Sequence, residues 1–324
     1  MKYKTLVTTL PFGVADPLAI ELLENEPKLD YTINPLGRKL RESEILELVD
    51  DYDILIAGTE QISKEVMLKA RNLKLISRVG IGLDSVDLDA ARELGIEVAY
   101  TPDAPSKAVA DLTIAQMFNL CRKISYTDRK IREGVWIRYM GSLLSENSIG
   151  IIGVGRIGKL VLNILKNFEP KEILVNDIFP DYEYYEQMNV KFVPKTEIYK
   201  KCNIISLHIP LTTETKNLIT KAELRLMNDN AMLINTSRGG IINENDLYDI
   251  TTREKKGISV AMDVFEDEPY SGKLLELDNV NVTCHMGSCT ISSRAAMEVG
   301  AVQEVLRFVN GKELINKAPK DRNW

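Results

Sequence analysis

At 324 residues, 44% hydrophobic and 27% charged, the chain has the make-up of an ordinary globular protein of about two domains. A formal net charge of −6 with no Lys/Arg cluster argues against a nucleic-acid surface. No apolar run of about 18 residues is present to span a membrane, and four scattered cysteines without a CxxC pair fit a reducing cytoplasm.

The N-terminal Met1-Lys2-Tyr3-Lys4-Thr5-Leu6-Val7 reads as a first strand. It lacks the apolar core and cleavage site of a signal peptide. Further strands are predicted at Tyr31-Thr32-Ile33, Ile54–Ala57, Leu75-Ile76-Ser77 and Ile96–Ala99. Helical patterns fall between them at Pro17–Glu24, Ser43–Val49, Lys64–Arg71 and Asp87–Leu94. Such alternation implies a parallel sheet covered by helices on both faces. The breaker cluster Thr101-Pro102-Asp103-Ala104-Pro105 marks a boundary. After it a single long helix is expected from Ser106 to about Arg132, then a loop containing Trp136.

The second half opens on Ile149-Gly150-Ile151-Ile152, followed by Gly153-Val154-Gly155-Arg156-Ile157-Gly158. The next apolar run, Ile173-Leu174-Val175-Asn176, ends at Asp177, 19 residues past the last glycine (177 minus 158). Strand, glycine turn, helix, strand and acid in that order form the dinucleotide-binding fingerprint. The first glycine permits a tight turn, the second lets backbone approach a diphosphate, and the third lets helix and strand pack closely. The diphosphate lies at the positive end of the helix that begins near Arg156. Asp177 accepts from ribose hydroxyls and repels a 2'-phosphate, and Ile178-Phe179-Pro180-Asp181 offers no arginine, so NAD is expected over NADP. More strands are predicted at Val190–Phe192, Asn203–Leu207, Ala231–Ile234, Gly257–Met262 and Val280–Thr283, and a last long helix at Ser292–Val309.

In α/β sheets ligands bind beyond the carboxyl ends of strands, and three such segments carry capable side chains. Arg238, among the small residues of Asn235–Gly240, can bind a carboxylate with two parallel hydrogen bonds. Asp263-Val264-Phe265-Glu266-Asp267-Glu268-Pro269 supplies four acids. His285 follows the last strand. Of only two histidines it is the better base, whereas His208 in Leu207-His208-Ile209-Pro210 reads as structural. Spacing alone does not say which acid partners His285. Adjacent Cys284 and His285 point apart on an extended segment and no second ligand pair exists, so no metal is expected.

Together these pieces resemble the D-isomer-specific 2-hydroxyacid dehydrogenases, of the phosphoglycerate dehydrogenase and hydroxypyruvate reductase kind. Arg78-Val79-Gly80-Ile81-Gly82-Leu83-Asp84, Lys107–Asp111, the glycine fingerprint, Leu207–Thr212, Asn235–Gly240, Asp263–Pro269 and His285–Ser288 carry the likeness in order along most of the chain. The resemblance implies two doubly wound, Rossmann- or flavodoxin-like α/β domains. A substrate domain comprises 1–103 and 291–324, and the NAD domain 104–290 is inserted into it. It also implies catalysis by Arg238, Glu268 and His285, with Glu268 as the partner of the imidazole. NAD would contact Gly153, Gly155, Arg156, Ile157, Gly158, Asp177, His208, Pro210, Thr236, Ser237, Arg238, Asp263, His285, Gly287 and Ser288, with Asp263 facing the nicotinamide carboxamide. Substrate would meet Arg238 and the backbone of Gly80, Ile81 and Gly82.

Some features depart from the pattern. The loop Ala57-Gly58-Thr59-Glu60-Gln61 carries an acid where many phosphoglycerate-oxidising relatives carry arginine, which puts a phosphorylated substrate in doubt. Cys284 replaces the usual proline before the base, and Asp111 a glutamate. A cytoplasmic homodimer joined through the nucleotide domain is expected from the same resemblance, Leu112–Ile124 either supplying part of that contact or packing into the core, with a small 2-hydroxy or 2-keto acid as partner and neither nucleic acid nor membrane. The alternative is an NAD(H)-sensing, corepressor-like regulatory protein of the same fold.

Overall fold

In the computed structural model, residues 2–254 and 256–319 are described. The chain divides into two compact units, one running to Pro105 and resuming at Cys289, the other Ser106–Ser288.

In the first unit the strands β1 (Tyr3–Val7), β2 (Leu29–Ile33), β3 (Ile54–Ala57), β4 (Leu75–Arg78) and β5 (Glu97–Ala99) form a five-stranded sheet of order β2-β1-β3-β4-β5. Every pairing is parallel. This is the flavodoxin-like doubly wound order. Ile54–Ala57 and Leu75–Arg78 are buried throughout, because a central parallel strand is covered on both faces. The C-terminal helix Ile291–Val309 lies on this sheet: Met297, Ala301, Val302 and Val305 share a core with Val7, Ile54, Ile56 and Leu75. Ser77 Oγ donates to the Ala301 carbonyl at 2.8 Å.

In the second unit β6 (Ser148–Ile152), β7 (Glu172–Asn176), β8 (Lys191–Phe192), β9 (Ile204–Leu207), β10 (Met232–Asn235), β11 (Ser259–Met262) and β12 (Val280–Val282) form a seven-stranded sheet. Its order is β12-β11-β10-β9-β6-β7-β8, again parallel throughout. The winding reverses between β6 and β9, the switch point at which Rossmann folds open a ligand crevice. Two apolar clusters pack this sheet, one under Ile198, Leu224 and Leu247, the other under Ile114, Met117 and Val161.

The expected single helix 106–132 is two helices, Ser106–Arg122 and Ile124–Arg132. Lys123, at φ +53°, breaks it in the left-handed region. The two halves have different surroundings: the first buries Met117, Leu120 and Cys121, whereas the second has no buried residue. Met117 and Leu120 are thus core residues, and half-buried Phe118 meets Phe168 edge-on. No described helix is long and apolar enough to cross a membrane.

Candidate active site

The turn after β6 divides its work among the three glycines. Gly153 has φ +94°, a region that disfavours any side chain, and a β-carbon there would strike the His208 carbonyl. Gly158, in the helix Arg156–Leu165, would strike the Gly153 carbonyl, so helix and turn are in close packing. Gly155 caps that helix, and a β-carbon there would meet nothing within 4 Å. A position that needs no glycine for packing, at the amino end of a ten-residue helix, is open to a diphosphate. Asp177 follows β7 and faces this turn: Oδ2 accepts from Val154 N at 2.5 Å and Oδ1 from Phe179 N at 2.8 Å. The acid therefore braces the glycine loop as well as standing where a ribose would lie. Arg156 and Ile157 begin the helix, and His208 and Pro210 follow β9. These residues fit a dinucleotide.

The chemical groups come from the carboxyl ends of the adjacent strands β10, β11 and β12. After β10, Asn235, fully buried, orders the loop: its Oδ1 accepts from Ser237 N at 3.1 Å and Ser237 Oγ at 2.7 Å, and its Nδ2 donates to the Arg238 carbonyl at 2.8 Å. Thr236 Oγ1 lies 2.8 Å from Thr113 Oγ1, tying the loop to the helix Ser106–Arg122. Arg238 is partly exposed, with Nη1 donating to the Ser237 carbonyl at 2.6 Å.

After β11 and β12 lies the acid–base pair. Glu268 Oε2 and His285 Nδ1 are 2.8 Å apart, with the side chains 25% and 35% exposed. Glu268 Oε1 accepts from Phe265 N at 3.1 Å. A carboxylate on Nδ1 fixes the tautomer of a neutral imidazole, so Nε2 is the atom left to accept a proton. Of the four acids in 263–268, the geometry picks Glu268.

Asp263 orders the loop that carries His285. It is 2% exposed, and its carboxylate accepts from Thr283 Oγ1 at 2.6 Å, Met286 N at 2.9 Å and Gly287 N at 2.7 Å. Its backbone carbonyl takes His285 N at 2.8 Å. His285 has φ +52°, a sparsely populated conformation for a side-chain-bearing residue. Asp263 holds the chain on both sides of it, which is how a strained residue persists. Gly287 fits close against Asp263, and Ser288 follows it in the loop.

His208 Nε2 lies 2.9 Å from Ser206 Oγ, and burial pushes its pKa down to about 4, so the imidazole is neutral. In the first unit Gly80 N donates to Thr101 Oγ1 at 2.7 Å. That bond ties the Gly80 turn to Thr101. Sequence reading did not single out Asn235, Thr283 or Glu244 as individual site residues. Asparagine directly after a buried strand was the one available signal, as an Asx-type turn former.

A sequence profile described as D-isomer specific 2-hydroxyacid dehydrogenase, NAD binding domain, matches residues 114–287. D-3-phosphoglycerate dehydrogenase of Methanocaldococcus jannaschii is 36% identical over 308 residues, which are 92% of this chain but 57% of that enzyme. The chain thus spans little more than half the length of that curated relative. Hydroxypyruvate reductase of Thermotoga maritima is 32% identical, covering 91% of this chain and 96% of the reductase. Among solved structures, D-lactate dehydrogenase from Aquifex aeolicus, complexed with NAD and lactic acid, superposes with a TM-score of 0.86 at 26% identity, covering 98% and 100% of the two chains. Sequence and fold agree, and the chain belongs to the D-isomer specific 2-hydroxyacid dehydrogenase family, with that family's NAD-binding domain in its second unit.

Proposed function

We propose that this protein is an NAD-dependent dehydrogenase interconverting a D-2-hydroxy acid and its 2-keto acid. The observation that carries the reading is the 2.8 Å pair of His285 Nδ1 and Glu268 Oε2 at the edge of an NAD-binding sheet. Bound NAD supplies the hydride acceptor and, reduced, the donor. Arg238 holds the substrate carboxylate and polarises the 2-oxygen. The family resemblance also implies substrate contacts from the backbone of Gly80, Ile81 and Gly82. His285 Nε2 takes the hydroxyl proton in oxidation and returns it in reduction, while Glu268 stabilises the imidazolium. Gly153, Gly155 and Gly158 cradle the diphosphate, Asp177 the ribose, and Thr236, Ser237 and Ser288 complete the cofactor contacts. The relatives named above are all enzymes, so the regulatory alternative draws no support from them.

We expect His285→Gln to lower turnover by roughly 10²–10⁴ with little change in NADH affinity. Wild-type turnover in that variant, on a 2-keto acid the native protein accepts, refutes the assignment.

The loop after β3 favours a substrate with an uncharged tail. Glu60 is buried there, accepting from Gly58 N at 2.7 Å and from Thr8 Oγ1. The loop turns its acid inward and exposes Thr59 and Gln61, with no cation in residues 58–63. Glyoxylate and hydroxypyruvate are therefore expected to outperform phosphohydroxypyruvate in kcat/KM. A preference for the phosphorylated acid would reverse this.

A homodimer fits the surface of the second unit. Ile124, Ile131, Val135, Trp136, Ile137 and Met140 are exposed over one short stretch, a concentration of apolar side chains typical of an interface. Sedimentation should give a dimer for the native chain and a monomer for Ile131→Glu with Trp136→Glu. A native monomer contradicts it.

A further inference from the structure

The turn that carries Glu268 is held by a carboxylate from elsewhere in the fold. Glu244 is the first residue of the helix Glu244–Thr252, and its Oε1 accepts the N–H of Glu266 at 2.8 Å. The preceding amide, Phe265 N, donates to Glu268 itself at 3.1 Å. Two successive amides are thus bound by two carboxylates, one of which is the partner of the imidazole. Backbone contact closes the arrangement: a β-carbon on Gly239 would collide with the Phe265 carbonyl, so the Arg238 segment packs against this turn.

Glu244 occupies an unfavourable place for a charge. Burial, then the charges of Glu266, Asp267 and Glu268, raise its pKa above the usual carboxylate value. Rotation of the side chain into water would relieve both effects. It stays with the Glu266 amide, as a hydrogen bond to a charged acceptor allows.

We infer that Glu244 is a positioning residue for the acid–base pair: its hydrogen bond to Glu266 N fixes the 265–268 turn so that Glu268 meets Nδ1 of His285. The inference rests on the roles proposed above for Glu268 and His285. Its bond spans 22 residues and joins the first turn of the helix Glu244–Thr252 to the turn after β11, so it acts through Glu268 and not on the substrate.

The test uses Glu244→Ala and Glu244→Gln in the full chain. In Glu244→Ala, kcat on an accepted 2-keto acid falls about 10- to 100-fold while the NADH Kd stays within about twofold, as expected when a reacting group is misplaced by a fraction of an ångström. In Glu244→Gln the amide oxygen accepts the same N–H, and kcat stays within about threefold of native. A spectroscopic arm follows the downfield Nδ1 proton of His285, assigned by its loss in His285→Gln. The chain has only two histidines, which makes the assignment direct. That resonance broadens in Glu244→Ala and persists in Glu244→Gln. If Glu244→Ala does not fold, Glu244→Asp, one methylene shorter, takes its place. Unaltered kcat and Nδ1 proton in the alanine variant overturn the inference, as does a glutamine variant no better than alanine. Glu268→Gln in the same assay separates the two levels. If it turns over normally, the acid–base assignment fails whatever Glu244 does.

Discussion

His208 illustrates how burial sets chemistry at a single residue. With its pKa pushed down to about 4, it stays neutral in the fold over a range where an unfolded chain, with a histidine pKa near 6.5, binds a proton. The depressed value means that its contribution is complete above about pH 6.5 and is lost as pH falls toward 4, with no further loss below that. We expect the urea midpoint to drop across that window, by about 1–3 kcal/mol of stability, and His208→Asn to flatten the drop. An unchanged acid limb in the variant would show that other groups cause it. By their neighbours the sequence reads His208 as structural and His285 as the base. Spacing alone does not choose the partner of His285, because four acids in 263–268 are equivalent by it; the family resemblance is what points to Glu268. Only folding brings Glu268, 17 residues away, within 2.8 Å of the ring.

At the scale of elements, the glycine turn separates packing from binding. Gly158→Ala forces a methyl group into the Gly153 carbonyl, so a lower melting temperature and lost NADH binding are expected together. Gly155→Ala enters open space, so the melting temperature holds while NADH binding weakens, as measured by fluorescence titration. Equal effects of the two substitutions on stability would contradict this division. The strands were legible because Ile54–Ala57, Ile204–Leu207 and Met232–Asn235 are short apolar runs of the kind a doubly covered parallel sheet requires. The break at Lys123 was not legible. Lysine carries no turn signature; in the fold Lys123 Nζ donates to Ser259 Oγ at 2.6 Å, on a strand 136 residues away, and Asn119 Oδ1 accepts from Ser125 N at 2.9 Å across the break. Glu244 was equally silent, since its partner amide lies outside its own element.

At the scale of the whole molecule, each unit has its own apolar core: Leu6, Leu55, Ile76 and Val98 belong to the first, Ile205, Leu233 and Val260 to the second. The second unit is also continuous in sequence. Residues 106–288 produced alone are therefore expected to fold cooperatively and bind NADH within about tenfold of the full chain. Failure to melt cooperatively would show that this core depends on the other unit. The sequence exposed the two-part organisation through the position of its glycine fingerprint, which lies nearly 150 residues in although such motifs open their domains.

The first unit is made from segments on either side of the second, and this bears on its birth at the ribosome. Its sheet strands emerge first, but the helix Ile291–Val309 that covers Leu75, Ile54 and Val7 is translated only after the whole of the second unit. Until then that side of the nascent sheet is covered only in part, by Ala19 and Leu23 of the helix Leu18–Glu24, and the inserted segment, emerging whole, completes its structure first. The chaperones met by this chain thus have an apolar sheet face to shield for about two hundred codons.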